Sequence, residues 1–178
     1  MEETQSPIQN PPSLQINEQI IRERIEALKL EQNLVLGIIG GTIAGVFGAA
    51  LWAIITYVTE FQIGWMSVGV AFLVGFCVRS LGKGIDKSFG VAGAVIALVS
   101  IALGNFLASI GFLAKYFEVG FVEMLITFNY AMTFDLMKET FSFMDIFFYG
   151  IAVYEGYRFS FRKITREQLL QGAVFQQE

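Results

Sequence analysis

Residues 34–59 read LVLGIIGGTIAGVFGAALWAIITYVT, twenty-six positions without a charge. At about 1.5 Å per residue, a helix of this length exceeds the ~30 Å hydrocarbon core of a bilayer. Small residues recur through it at every fourth position: Gly37, Gly41, Gly45, Ala49 and Ala53. A second row, Gly40, Ala44 and Gly48, lies beside the first. Such rows let helix backbones approach closely where lipid gives no hydrophobic drive for association. The stretch therefore predicts a membrane span with a packing face. The partner on that face is either another helix of the chain or a second subunit.

The flanking sequence repeats the pattern. Residues 62–78 form a second, shorter apolar run in which Ser67, Ala71 and Gly75 recur at every fourth position and lead to Arg79. Residues 88–114 form a third, with Gly93, Ala97, Ser100, Gly104, Ala108 and Gly111 on one face. A fourth, aromatic-rich run covers 142–161. It opens on Ser142-Phe-Met-Asp145, a capping-box pattern that marks a helix start. Between the third and fourth runs, residues 115–141 mix charges with Phe117, Phe121, Leu125 and Phe128 at helical spacing. This predicts an amphipathic helix lying on the membrane surface, with a re-entrant segment as the alternative. The fold class expected is an all-α integral membrane protein of four transmembrane helices with added amphipathic helices.

Composition agrees. Hydrophobic residues make up 54% of the 178 and charged residues only 16%, and the mean hydropathy is +0.58. Soluble domains carry roughly a quarter charged residues. Residues 1–16, with three prolines among polar residues, read as a disordered leader. Residues 17–33 read as a cytoplasmic amphipathic helix. No Pro or Gly interrupts the chain from there until Gly37, which permits one continuous helix into the first span. Residues 162–178 form a tail, in which Thr165-Arg-Glu-Gln168 is a second capping box and Gly172 a helix end.

Lysine and arginine set the orientation. Arg22, Arg24 and Lys29 precede the first span; Arg79, Lys83 and Lys87 lie between the second and third; Arg158, Arg162, Lys163 and Arg166 close the fourth. Only Lys115 and Lys138 fall on the other side. The positive-inside rule then places both termini in the cytoplasm.

Few residues offer chemistry. The chain has no histidine and one cysteine, Cys77, so imidazole catalysis, an intrachain disulfide and a thiol cluster are excluded. No catalytic, cofactor or metal-binding residue is expected, and no basic stripe points to nucleic acid. Gly82-Lys83-Gly84 lacks the Ser or Thr after lysine that a P-loop requires. It reads instead as a glycine-permitted turn presenting Lys83 and Lys87 to lipid headgroups. The candidate helix-packing residues are Gly37, Gly41, Gly45, Gly75, Gly93 and Gly104. The candidate intramembrane polar residues are Arg79, Asn105 and Glu155, since polar groups at membrane depth are functional candidates by default. Asn105 is expected to hydrogen-bond to a neighbouring helix. Glu155 is expected to pair with Arg158 or Arg79, or else to handle protons or ions. Asp145 and Glu155 stand ten positions apart on one helix, about 15 Å, too far to act on one substrate atom.

The run Ile63-Gly64-Trp65-Met66-Ser67-Val68-Gly69-Val70, with Phe72-Leu73-Val74-Gly75, Val78-Arg79, Gly82-Lys83-Gly84 and Phe89-Gly90, resembles an uncharacterised family of small bacterial multi-pass membrane proteins. The resemblance covers about residues 37–111. It implies a multi-pass protein of the bacterial plasma membrane and no particular activity. The zinc ribbon of some relatives has no paired cysteines here, so no metal is carried over. The function expected is structural, through helix packing. The partners expected are membrane lipids and either a second copy or another membrane protein. A channel or transporter for a small ion or solute is the alternative.

Overall fold

The computed structural model describes residues 15–16, 18–61, 63–170 and 174–175. It divides into two units, Gln32–Arg162 and a smaller one made from both ends of the chain. In the smaller unit, helix α1 (Glu18–Leu30) packs against α8 (Arg166–Leu170), and β1 (Gln15–Ile16) pairs antiparallel with β2 (Val174–Phe175). The Thr165 N–H donates to Gln168 Oε1 at 3.2 Å, the backbone half of the expected capping box. The leader expected over 1–16 lies outside the described residues except for Gln15 and Ile16, and so does the helix end expected at Gly172.

The helix from 17 does not run on into the first span. It stops at Leu30, and α2 (Leu34–Thr59) begins anew behind Asn33, whose side chain accepts from the Leu36 N–H at 3.0 Å. Asparagine competes for backbone donors in this way, which is why it starts helices rather than continuing them.

Three helices of the larger unit are long and apolar enough to cross a membrane: α2, α3 (Trp65–Gly82) and α4 (Lys87–Tyr116). This marks the chain as membrane-embedded. Among the described residues these three, not the four expected, meet that length and apolarity. The fourth apolar run forms α7 (Phe143–Phe159), which has only 17 residues and is not among the three. Its capping box is present: Ser142 Oγ accepts from the Met144 N–H, and Asp145 accepts from the Ser142 N–H at 2.7 Å.

These four helices alternate in direction. A Cβ built on Gly48 meets Val70, one on Gly41 meets Val78, and one on Gly37 meets Gly82, so α2 and α3 are antiparallel. Gly45 faces Ser100, while Trp52 and Tyr57 face Gly104 and Gly111, so α4 runs with α2. Helix α7 descends beside α3. Phe148 packs on Gly64 at one end, and at the other the Arg162 N–H donates to the Gly84 carbonyl at 2.7 Å. The core along the bundle axis is Trp52, Val70, Ala71, Val74, Val78, Phe89, Ala97, Ile101 and Ala152.

One loop fastens the end where α2 starts. Gln32 Oε1 accepts from the N–H groups of Ile85 and Asp86 at 2.7 and 2.9 Å, and the Asn33 N–H donates to the Gly82 carbonyl at 2.9 Å. The turn differs from expectation in detail. Lys83, not a glycine, takes the left-handed conformation (φ 50°) that caps α3. Gly82 and Gly84 are there for space, because a Cβ on either would run into the Phe89 ring.

Residues 115 and 116 end α4, and residues 117–141 form no single helix. They break into α5 (Phe121–Thr127), a 3-10 turn (Tyr130–Met132) and α6 (Thr133–Thr140). Asn129 causes the break by accepting from the Ala131 N–H at 3.2 Å, and Phe128 before it is extended. Both short helices fold back on α4, where Phe106 meets the rings of Phe128 and Tyr130 at 5.8 and 6.2 Å.

Candidate functional site

The six glycines singled out for packing are all buried, and every one meets a residue of the same chain. Gly37, Gly41 and Gly45 face α3 and α4. Gly104 lies under Trp52. Gly75 and Gly93 face α7: a Cβ on Gly75 would stand 2.8 Å from Phe159 Cβ, and one on Gly93 would stand 2.5 Å from the Gly156 carbonyl oxygen. The α7 side of this contact is Ala152, Gly156 and Ser160, a small-residue row that the aromatic richness of the segment hid.

Most buried hydroxyls are satisfied inside their own helix. Ser100, Ser109 and Ser160 donate to the carbonyl four residues back, and Ser67 donates to the carbonyl of Gly64. This local bonding removes them as candidates for ligand contact. Asn105 instead reaches across the bundle, its Nδ2 donating to Tyr149 Oη on α7 at 2.7 Å. Trp52 Nε1 and Thr56 Oγ1, one turn apart on α2, are buried without a hydrogen-bond partner among the described residues. The Asn105–Tyr149 bond is expected to be worth about 0.6–1.7 kcal/mol, the range of interhelical bonds in membranes. A double-mutant cycle with Asn105→Ala and Tyr149→Phe measures it; zero coupling would remove it from the account.

Arg79 and Glu155 are not brought together. Arg79 lies in the last turn of α3, its guanidinium 5.2 Å from the centre of the Phe76 ring, where a cation also suits the helix dipole. Glu155 is half-buried on α7, and among the described residues it forms no ion pair with Arg79 or with Arg158, which sits over Tyr154 at 5.9 Å. The expected pairing is therefore absent. Because no arginine would be stranded, Glu155→Gln is expected to change stability by less than about 0.5 kcal/mol. A larger loss, recovered by exchanging charges with Arg79, would show that the two do pair.

Charge is paired at the other end of the bundle. Lys115 Nζ lies 2.7 Å from Glu60 Oε1 and 4.6 Å from the centre of the Tyr57 ring. The hydrogen bond from Lys115, followed by its charge, holds the Glu60 carboxyl below its ordinary value. Tyr57 also lines an apolar groove of about 310 Å³, together with Ala50, Ala53, Ile54, Leu107 and Phe121. Lys83 and Lys87 are both exposed at the opposite end. Among the described residues no three His, Cys, Asp or Glu side chains gather as a metal site.

Compared with known protein families, curated proteins and solved structures, the chain matches none.

Proposed function

We propose that the chain is a four-span protein of the bacterial plasma membrane with both ends cytoplasmic, and that it acts as a structural element rather than a catalyst. The single observation that supports this best is the filled bundle axis: Trp52, Val74 and Ile101 are almost wholly buried there, and glycine contacts bring α7 against α3 and α4. Such a bundle is suited to holding a fixed shape in the membrane. Helix α7 spans about 26 Å by helical rise, close to the hydrocarbon thickness, and packs beside the α3 side of the bundle from Gly64 to Gly75. Asn33, Gly84 and Arg162 share one end of the bundle, which is where three lysine- and arginine-rich regions meet it. The positive-inside rule makes that end cytoplasmic. The choice of a bacterial membrane rests on the sequence resemblance read in residues 37–111 alone.

Ion or solute transport is the second reading, favoured by Glu155, a half-buried carboxylate without an ionic partner among the described residues. Flux in proteoliposomes separates the two. A structural element leaves proton, sodium and potassium gradients as stable as empty liposomes do. A saturable flux that disappears in Glu155→Gln would replace the structural reading with transport.

A further inference from the structure

We propose that the groove next to the Glu60–Lys115 pair is a binding site for one phospholipid with an ethanolamine headgroup, its acyl chain lying between α2, α4 and α5. The groove's walls are apolar side chains, and all but Phe121 belong to α2 and α4, two helices long and apolar enough to cross a membrane, where an acyl chain is the solvent. A distinct site requires something that tells one lipid from the next, and the rim supplies it. Tyr57 lines the groove and also carries the Lys115 ammonium 4.6 Å from the centre of its ring, which sets the charged pair next to the groove.

The pair is not closed on itself. The Lys115 and Glu60 side chains keep 35% and 68% of their exposure. An ammonium has three donors and a carboxylate about four acceptor positions, and the bond between them uses one of each. Lys115 can therefore donate to a lipid phosphate while Glu60 accepts from a primary ammonium on the same headgroup. A glycerol headgroup brings a phosphate without an ammonium and meets repulsion from Glu60. A choline headgroup has no N–H to donate.

The test uses the full-length chain in detergent, exposed to equal amounts of phosphatidylethanolamine, phosphatidylglycerol and phosphatidylcholine, with retained lipid counted by native mass spectrometry. One phosphatidylethanolamine per chain should be retained in preference to the other two. Glu60→Gln should lower its preference over phosphatidylglycerol about two- to fivefold, the range an exposed charge interaction commands. Glu60→Lys should reverse the order in favour of phosphatidylglycerol. Ala53→Trp, which fills the groove, should reduce retention of every headgroup; the two Glu60 variants, at an exposed position, decide the matter if that protein does not fold. Equal retention of the ethanolamine and glycerol lipids by the unaltered chain would overturn the proposal. So would an unchanged order in Glu60→Lys, or a lipid-free dimer, which would make a second copy the occupant.

Discussion

Gly93→Leu is expected to prevent α7 from docking and to leave the larger unit without its native packing. Even alanine is too large there. A Cβ at Gly93 runs into Ser160 and stands 2.5 Å from the Gly156 carbonyl oxygen, and one at Gly156 stands 2.9 Å from the Gly93 carbonyl oxygen. The obstacles include backbone, which cannot rotate away as a side chain would. Overpacking of this kind costs about 1–3 kcal/mol and sometimes more, so Gly93→Ala should sit in that range and Gly93→Leu beyond it. Gly69 and Gly150 provide the control. Nothing lies within 4 Å of a Cβ at either position, and alanine is the better helix former by about 0.5–1 kcal/mol. Gly69→Ala and Gly150→Ala should therefore be neutral or stabilising. Unfolding midpoints in one detergent measure all four proteins, and an equal response from Gly93 and Gly150 would remove close approach as the cause.

Trp52→Ala is the second large effect. The indole is 1% exposed, belongs to the buried core of the bundle and packs on Gly104 of α4. Truncating a buried aromatic to alanine costs about 3–5 kcal/mol, because the cavity relaxes only in part. Trp52→Phe separates ring volume from hydrogen bonding. Trp52 Nε1 has no partner among the described residues, so phenylalanine loses volume without losing a bond, and it should retain most of the stability. If Trp52→Phe proved as damaging as Trp52→Ala, the indole N–H would be bonded to something other than the described residues.

The sequence made the first and third spans legible because period and charge agree there. Leu34–Thr59 is bounded by Asn33 and Glu60, and Lys87–Tyr116 by Asp86 and Phe117, so the apolar runs and the helices nearly coincide. The start of α2 was equally readable in Asn33, a helix-capping residue directly before the apolar run, yet the lack of Pro or Gly favoured a continuous helix. The row Ala152, Gly156 and Ser160 has the same spacing as the rows on α2, α3 and α4, but the eight aromatics of residues 142–161 draw attention away from it. Other features were not legible. That Tyr149 would meet Asn105, forty-four residues away, depends on the register between α4 and α7. Glu155 and Arg79 share a membrane depth in the sequence pattern, but depth does not fix which way around a helix each side chain points. The split of 115–141 at Asn129 breaks a good helical period through one local capping bond, and such bonds outweigh periodicity in short segments.

The central claim is that α7 crosses the membrane beside α2, α3 and α4, returning the chain to its starting side. Single cysteines at Ser88, Glu123 and Lys163, in a Cys77→Ala background, test it through labelling of intact cells by a membrane-impermeant maleimide. The account predicts that Glu123→Cys is labelled from outside, and that Ser88→Cys and Lys163→Cys are labelled only after the membrane is opened. Labelling of Lys163→Cys from outside, with Ser88→Cys still protected, would contradict it.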